Sequence, residues 1–248
     1  MPAATETRLR LDDPATDVVI RRSPRARRLT LTVPQTGAPP RLTAPHGASE
    51  AELRMFLLRQ SDWLRAALDR APAIVAVEAG ALVPVAGRLL RVETPTGPRR
   101  PPRIDGDLLI VEGAGAPGPR IAAWLKERAR AAILPVATDC AKEIGAKMGR
   151  LTMRDQTGRW GSCTSRGDVS FSWRLAMAPP AALDYVAAHE AAHLIEMNHG
   201  PRFWALVTQL RPEWRRQREW LRREGPALHR FRFAARFGAG FGAEGDEK

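Results

Sequence analysis

The sequence contains few cysteines, and it contains no long apolar run. Its two cysteines, Cys140 and Cys163, are too few for a disulfide framework, which favours a reducing compartment such as the cytoplasm. No run of about 18 apolar residues occurs, so a membrane span is not expected. The first residues also lack the apolar core of a secretory signal. We therefore expect a globular protein of the cytoplasm that does not enter a membrane.

Lysine is also scarce, whereas arginine is abundant. Only four of the 39 basic residues are lysines, and the formal net charge is +12. A charge of this size favours a polyanionic partner, so a nucleic acid or a nucleotide is one candidate. A genome rich in arginine codons explains the same excess without any partner. The charge alone leaves both interpretations open.

The hydrophobic pattern divides the chain into four segments. They are a polar, aperiodic N-terminus predicted to be disordered, a strand-rich portion, a more helical domain and a flexible tail, at residues 1–16, 17–115, 116–235 and 236–248. The strand-rich portion includes one predicted helix, from Ala51 to about Leu68, with Ser49 and Glu52 as a capping box. The mixture of strands and helices predicts the α+β class.

Four further helices are predicted in the second half of the chain. A glycine- and proline-rich linker at 113–120 is expected to precede a long helix that is bent near Pro135. Strands around glycine turns follow in the segment 151–179. The predicted helices lie at about 121–148, 181–197, 201–210 and 212–224.

The segment HEAAHLIEMNH, residues 189–199, holds three of the five histidines. Residues four apart lie on one face of a helix, so His189 and His193 are spaced to hold one metal ion. Glu190 can lean over the same face and accept a proton from a metal-bound water. H-E-x-x-H on a helix is the pattern of zinc proteases, in which Glu is the base and not a ligand. A chance occurrence on a polar helix face is the competing interpretation.

A catalytic zinc needs a third protein ligand and an open position. On a continuous helix His199 would lie about 9 Å beyond His193 and off the shared face. Asn198 tolerates the left-handed conformation that ends helices, and the Gly-Pro pair after His199 disfavours helix. The sequence therefore predicts that His199 folds back in a tight turn onto the metal. Glu196 remains a rival ligand or an orienting residue, unless it is an ordinary solvated carboxylate.

These residues and their surroundings resemble the YgjP-like metallopeptidase family of the zincin clan. The specific motifs are RWGSC (159–163), SWRLAMAP (172–179) and DYVAAHEAAHLIEMNHGPRFW (184–204). RRSPRARRLTLTVPQTG (21–37) and TAPHGAS (43–49) resemble the opening strands of that family more loosely. The resemblance covers roughly residues 18–225. The family is also similar to SprT-like proteases, which act on proteins bound to DNA.

The resemblance implies a zincin-like hydrolase domain over 116–235 that acts on a peptide or protein. It implies one zinc ion per chain, held by His189, His193 and His199, with Glu190 as the catalytic carboxylate. The ligand spacing is also similar to that of the metzincins. Glu196 stands where those proteins have a glycine, however, and no Met-turn follows His199, so we do not assign the chain to them.

Four residues near this motif are candidates for stabilising an oxyanion or contacting the substrate. Tyr185 precedes His189 by one helical turn, and Arg159 and Arg174 flank the predicted strands. Trp160 belongs to a predicted edge strand, which in zincins can pair with an extended substrate. Each also has a purely structural explanation, because Tyr185 and Trp160 can pack in the core and the arginines can be solvated.

Two other functions remain open at this point. A metal-dependent pyrophosphatase would cleave a nucleotide phosphoanhydride, with arginines holding the phosphates. A basic nucleic-acid-binding protein would use the metal only structurally, although a structural site needs no base such as Glu190.

Overall fold

The structure, a computed structural model, describes residues 6–34, 37–71 and 73–234. The chain forms two compact units, Met1–Ile74 and Val75–Lys248. The division therefore falls after Ile74 and not near residue 115, where the glycine-rich segment suggested it. The predicted tail at 236–248 and the first five residues lie outside the described ranges.

The first unit consists of a four-stranded mixed sheet and two helices. The elements are β1 (Glu6–Asp12), β2 (Ala15–Arg22), β3 (Thr30–Thr32), β4 (Arg41–Ala44), α1 (Glu50–Arg59) and α2 (Ser61–Asp69). The strand order is β1-β2-β4-β3, in which β2 and β4 are parallel and the other pairs antiparallel. Leu53, Leu57 and Leu64 of the helices and Ile20 and Leu42 of the sheet belong to one buried cluster.

Strand β1 lies in the segment that was predicted to be disordered, and this prediction is corrected. Leu9 and Leu11 are buried and alternate with charged residues, as in a half-buried strand. Leu9 lies opposite Val18 of β2 in the register. Only two of the seven residues of this strand are apolar, which is too short an alternation to identify a strand from the sequence.

Helix α1 begins where its capping box predicts, but the predicted single helix is divided into two. The Glu52 amide donates to Ser49 Oγ at 3.2 Å, and the Ser49 amide donates to the Glu52 carboxylate at 2.6 Å. The backbone leaves the helical region at Gln60, with φ −100° and ψ 8°. Its amide is shared between the carbonyl oxygens of Phe56 and Leu57, so the last turn tightens there.

The second unit contains three sheets and four α-helices among the described residues. The strands are β5 (Val75–Ala76), β6 (Leu82–Val85), β7 (Arg88–Glu93), β8 (Arg103–Asp105), β9 (Leu108–Ile110), β10 (Leu151–Arg154), β11 (Gly161–Cys163), β12 (Val169–Ser172) and β13 (Phe231–Arg232). The helices are α3 (Pro117–Glu143), α4 (Pro180–Ala192), α5 (Pro201–Leu210) and α6 (Trp214–Arg223), with 3₁₀ helices at Trp173–Met177 and Gly225–Arg230. The sheet orders are β6-β7-β9-β8, β10-β12-β11 and β13-β5. This mixture confirms the predicted α+β class.

Helix α3 starts inside the segment that was predicted to be a linker. Pro117 supplies the fixed backbone angle that suits a first helical position. Gly118 is buried, and a Cβ there would collide with the Phe233 carbonyl oxygen and lie 3.0 Å from that of Val77. The glycine in this segment therefore serves close packing and not flexibility. Pro135 lies inside the helix, which ends at Glu143 and not at residue 148.

The three-stranded sheet has β12 at its centre, with β10 parallel and β11 antiparallel to it. Leu151, Val169 and Phe171 face the core of the unit. The strand β11 lies at an edge of this sheet, as its sequence predicted.

Helix α4 is buried along most of its length. Ala188 and Ala191 share a cluster with Cys140 of α3 and Leu210 of α5, and these small side chains let the helices approach closely. Arg211 makes a two-pronged ion pair with Asp184, with one N–O distance of 2.8 Å, which joins the end of α5 to α4. No helix in the described ranges is both long and apolar enough to cross a membrane.

Candidate metal centre and cleft

The histidine segment leaves the helix earlier than predicted. Helix α4 ends at Ala192, and the amides of Leu194 and Ile195 donate to carbonyl oxygens only three residues back, at 2.9 and 3.2 Å. Asn198 does not take the expected left-handed conformation, since among the described non-glycine residues only Ala86 has a positive φ. The chain instead turns through these tight bonds, and Gly200 is extended before Pro201 opens α5.

This turn brings the three predicted histidines together. One ring nitrogen from each of His189, His193 and His199 lies within 4.8 Å of the others. The Nε2 atoms of His189 and His199 are 3.1 Å apart. Two imidazole lone pairs that face each other at this distance repel unless a proton or another cation lies between them. The cluster is therefore suited to a metal ion.

The outer nitrogens of two of these rings have partners that orient them. His193 Nδ1–H donates to the Glu196 carbonyl oxygen at 3.0 Å, which leaves Nε2 with a free lone pair. The Tyr185 hydroxyl lies 3.4 Å from His189 Nδ1. Tyr185 thus lies behind a histidine of the cluster. The contribution of Glu196 to the cluster is its backbone carbonyl, while its carboxylate lies 3.9 Å from Arg202.

Phe203 forms the floor of the cluster. Its ring centroid lies 4.8, 4.5 and 4.7 Å from those of His189, His193 and His199, and the side chain is fully buried. The sequence motifs did not relate Phe203 to the histidines. Its position in the first turn of α5, just after the third histidine, was the signal that could have shown this.

The surroundings of His189 and His193 disfavour the charged form of both rings. Burial, followed in order of size by His193, His199 and the Arg218 charge, lowers the pKa of His189 to about 3. Burial also lowers the pKa of His193, although its bond to the Glu196 carbonyl opposes this. Neutral imidazoles are the form that binds metals.

Glu190 lies next to the cluster and is almost fully buried. It is 4% exposed, and its Oε2 atom is buried without a hydrogen-bond partner in the described part of the chain. Burial raises the pKa of Glu190 to about 8, against the opposing charge of Arg159. A Cβ on Gly161 would lie only 2.5 Å from Glu190 Oε1, so the absence of a side chain on β11 makes room for this carboxyl group.

A cavity of ≈ 270 Å³ opens beside Glu190 and His189. Of the predicted contact residues, Tyr185, Arg159 and Trp160 line it. Trp160 also packs on His229, with ring centroids 5.2 Å apart, so this side chain both lines the cavity and packs against the protein. The sequence did not identify three other lining residues, which share one face of α6: Arg218, Leu221 and Arg222. Their helical spacing in RRQREWLRR was the available signal.

Arg174, a predicted candidate for contacting the oxyanion or the substrate, instead lies in a buried hydrogen-bond network. Its guanidinium is buried and donates to both carboxylate oxygens of Asp155, at 2.7 and 3.2 Å. It also donates to the carbonyl oxygens of Leu228 and Phe231, at 3.0 and 3.2 Å. These bonds tie three parts of the unit together, and Arg174 is not among the residues that line the cavity beside Glu190.

The fold and the site define a class, an α+β domain in which a helix and the turn after it gather three histidines suited to a metal ion. A family model described as YgjP-like, metallopeptidase domain, matches residues 27–224. The chain belongs to this family, which confirms the resemblance seen in the sequence. Neither the curated proteins nor the solved structures gave a significant match.

Proposed function

We propose that the chain is a zinc-dependent peptidase in which His189, His193 and His199 hold one zinc ion and Glu190 is the general base. The observation that carries this proposal is the buried carboxyl group of Glu190 beside three converging imidazoles. A purely structural metal site needs no such carboxyl group, and burying a carboxyl group without a partner is unfavourable.

The geometry of the donor set fits zinc. Two nitrogens that each lie about 2.0–2.1 Å from a tetrahedral zinc are separated by about 3.3 Å. The distance of 3.1 Å between the Nε2 atoms of His189 and His199 is close to this value. Only three residues of the described chain belong to the cluster, which leaves one position open for water or substrate. Bound zinc would supply Lewis acidity, which polarises a carbonyl group and makes a water molecule more acidic.

Glu190 would transfer the proton of the attacking water. Its high pKa in the absence of a cation shows how strongly burial disfavours the charged form, and a cation held by the histidines would lower it again. The carboxylate would then accept a proton from the attacking water on one of its oxygens and return it to the leaving amine. Gly161 keeps the space that this carboxylate needs.

The other cavity residues would bind and orient the substrate. Arg159 and Arg218 are exposed, line the cavity and enter no ion pair among the described residues, so either can approach a developing oxyanion. Tyr185 would act mainly on His189, by accepting its Nδ1–H and so presenting Nε2 inward.

A phosphoanhydride hydrolase is the second candidate, because the same arginines and Arg222 could hold nucleotide phosphates. Arg222 is already paired with Glu219 at 2.7 Å and Arg218 lies over the Trp204 ring, which leaves only Arg159 without either kind of contact for a triphosphate. We therefore prefer peptide hydrolysis.

The first experiment measures metal content by mass spectrometry on protein purified without chelators or a histidine tag. We expect about one zinc per chain, and His193→Ala should lose most of it. Glu190→Gln should keep the zinc but lose hydrolysis of a peptide mixture. Nucleoside triphosphates assayed in parallel would identify the second candidate by metal-dependent pyrophosphate release. Protein that stays metal-free after zinc resupply would overturn both enzymatic proposals.

A further inference from the structure

The three-stranded sheet has a second face, which is polar. Thr152 of β10, Ser170 of β12 and Ser162 of β11 lie side by side in the register of the strands. The hydroxyl oxygens of Ser162 and Ser170 are 2.8 Å apart. The opposite face of the same strands is apolar and belongs to the core. A row of three hydroxyl groups across a sheet is an array of hydrogen-bond donors for a ligand.

These hydroxyls form the floor of a second recess of ≈ 310 Å³, which we call the hydroxyl basin. Its lining includes three exposed arginines, Arg150, Arg154 and Arg159. None of the three makes an ion pair among the described residues, although this chain pairs many other arginines with carboxylates. Three uncommitted guanidinium groups around one recess favour a ligand with negative charge.

Two further groups in the basin fit the same ligand chemistry. Gln156 Nε2 is a buried donor without a hydrogen-bond partner in the described ranges. The single carboxylate of the basin belongs to Asp168, whose Oδ1 atom accepts a hydrogen bond from the Arg150 amide at 2.8 Å. The hydrogen-bond donors of the basin thus outnumber its one negatively charged group, the Asp168 carboxylate, which would repel an anion.

The basin and the catalytic cavity lie on the two faces of one strand. Gly161 of β11 faces Glu190, whereas the next residue, Ser162, lines the basin. Arg159 lines both recesses. An extended chain that runs along a sheet edge places successive side chains on opposite faces.

Within the described part of the chain β11 pairs only with β12, so its outer edge is open to such a chain. The Trp160 carbonyl accepts a hydrogen bond from the Ser172 amide of β12 at 2.8 Å, and the Thr164 amide donates to the carbonyl of Asp168, just before β12, at 2.9 Å. In an antiparallel pair the intervening residues, Gly161 and Cys163, then direct their backbone groups away from β12. A substrate paired there would present one side chain to the cavity and its neighbour to the basin.

We propose that the hydroxyl basin binds an oxyanion on the substrate, carried by the residue next to the one that enters the catalytic cavity. The group is a carboxylate or a phosphate, so the preferred peptides contain Asp, Glu or a phosphorylated side chain at that position. This inference rests on the proposed peptidase function for the identity of the ligand, but binding to the basin can be measured without turnover.

The test uses the zinc-loaded Glu190→Gln protein, which binds peptides without cleaving them. Blocked alanine peptides with one central Glu, phosphoserine or Gln are titrated, and backbone amide shifts are followed by NMR. We expect the Glu and phosphoserine peptides to shift the amides of Thr152, Ser162 and Ser170, and the Gln peptide to leave them unchanged. Tighter binding of the Glu peptide would indicate a carboxylate site, and tighter binding of the phosphoserine peptide would indicate a phosphate site.

Variants of the basin supply the controls. Replacing both Arg150 and Arg154 by Gln should weaken binding of the acidic peptides at least about tenfold, because charge-assisted hydrogen bonds are lost. Thr152→Val removes one hydroxyl at constant shape and should weaken binding less. Arg128→Gln removes a positive charge from α3, which lines neither recess, and should change nothing. Equal shifts with Glu and Gln peptides, or an equal effect of Arg128→Gln, would overturn the proposal.

Cleavage separates this inference from the proposed function. If the unmodified enzyme cuts a peptide mixture without preference for acidic residues, the peptidase proposal survives and the basin proposal fails. If acidic peptides bind at the basin but none is cleaved, the basin proposal survives and the peptidase proposal fails.

Discussion

At the scale of single residues, Gly161 and Glu190 depend on each other. Gly161→Ala would place a methyl group 2.5 Å from Glu190 Oε1 and 2.6 Å from its Cγ, so the carboxyl group must move. We expect hydrolysis to fall by about tenfold to a hundredfold, since a displacement of about 1 Å at a reacting group has effects of this size. Zinc content should stay unchanged, because Gly161 supplies none of the three histidine ligands.

Gly158→Ala is the matched control for this prediction. A Cβ at Gly158 meets nothing within 4 Å, and its backbone angle suits alanine. This variant should hydrolyse substrate at the normal rate. Equal activity of the two variants would mean that the position of Glu190 is not restricted by β11.

His229 should make stability depend on pH. Burial lowers its pKa to about 4, helped by Arg174 and Arg232 and opposed by Asp155. Between the ordinary pKa near 6.5 and about 4, the unfolded chain binds a proton here that the folded chain does not. The contribution of this group to folding is therefore lost as the pH falls through that interval, by on the order of 2–3 kcal/mol.

The measurement for His229 is urea unfolding of metal-free protein at pH of about 7 and about 4.5. His229→Gln should lose less free energy of unfolding between these two values than the unmodified chain, because glutamine does not titrate. His46→Gln, in an exposed loop, should behave like the unmodified chain. An identical loss in all three proteins would contradict the prediction.

The sequence identified some residues of the site and missed others for a physical reason. His189, Glu190 and His193 follow a helical spacing that can be read within five positions. Arg174 is bound by a carboxylate 19 residues away and by carbonyl groups 54 and 57 residues away. No local pattern contains such partners, so its burial could not be foreseen.

At the scale of elements, the first turn of α3 should be intolerant of any side chain at Gly118. Alanine there gains helix propensity of up to about 1 kcal/mol, but its Cβ collides with the Phe233 carbonyl oxygen. Since backbone cannot move aside as a flexible side chain can, we expect a net loss of about 1–3 kcal/mol in the free energy of unfolding. Urea unfolding measures this loss, and Gly158→Ala again supplies the neutral comparison.

Element boundaries were the part of the fold that the sequence specified least. Helix α4 was predicted to continue to about Met197, but it stops at Ala192, where Leu194 and Ile195 bond three residues back. The single helix expected at 51–68 is interrupted at Gln60. The sequence there contains no proline or glycine, so it did not indicate the interruption. Periodicity indicates which face is buried, whereas the end of an element depends on bonds made after the chain has packed.

At the scale of the whole molecule, the two units have separate hydrophobic cores. The core of the first unit contains only residues up to Leu68, and every histidine of the metal cluster belongs to the second unit. We expect Leu57→Ala, a fully buried position, to reduce the stability of the first unit by about 2–5 kcal/mol. The zinc content per chain should stay the same.

Limited proteolysis and metal analysis of the same samples test this separation. Leu58→Ala changes a neighbouring leucine that is 59% exposed, and it should alter stability by less than about 0.5 kcal/mol. Loss of zinc in Leu57→Ala, but not in Leu58→Ala, would show that the units fold as one cooperative body.

The three histidines that face one another come from only eleven consecutive residues. A metal ion bound to them closes a very short loop, and the chain entropy that such a closure removes from the unfolded state is small. A bound ion would therefore restrain only this local segment and would not link distant parts of the chain. Chelation should free the segment around the turn to exchange its amide hydrogens faster, while α3 and the sheets keep their protection.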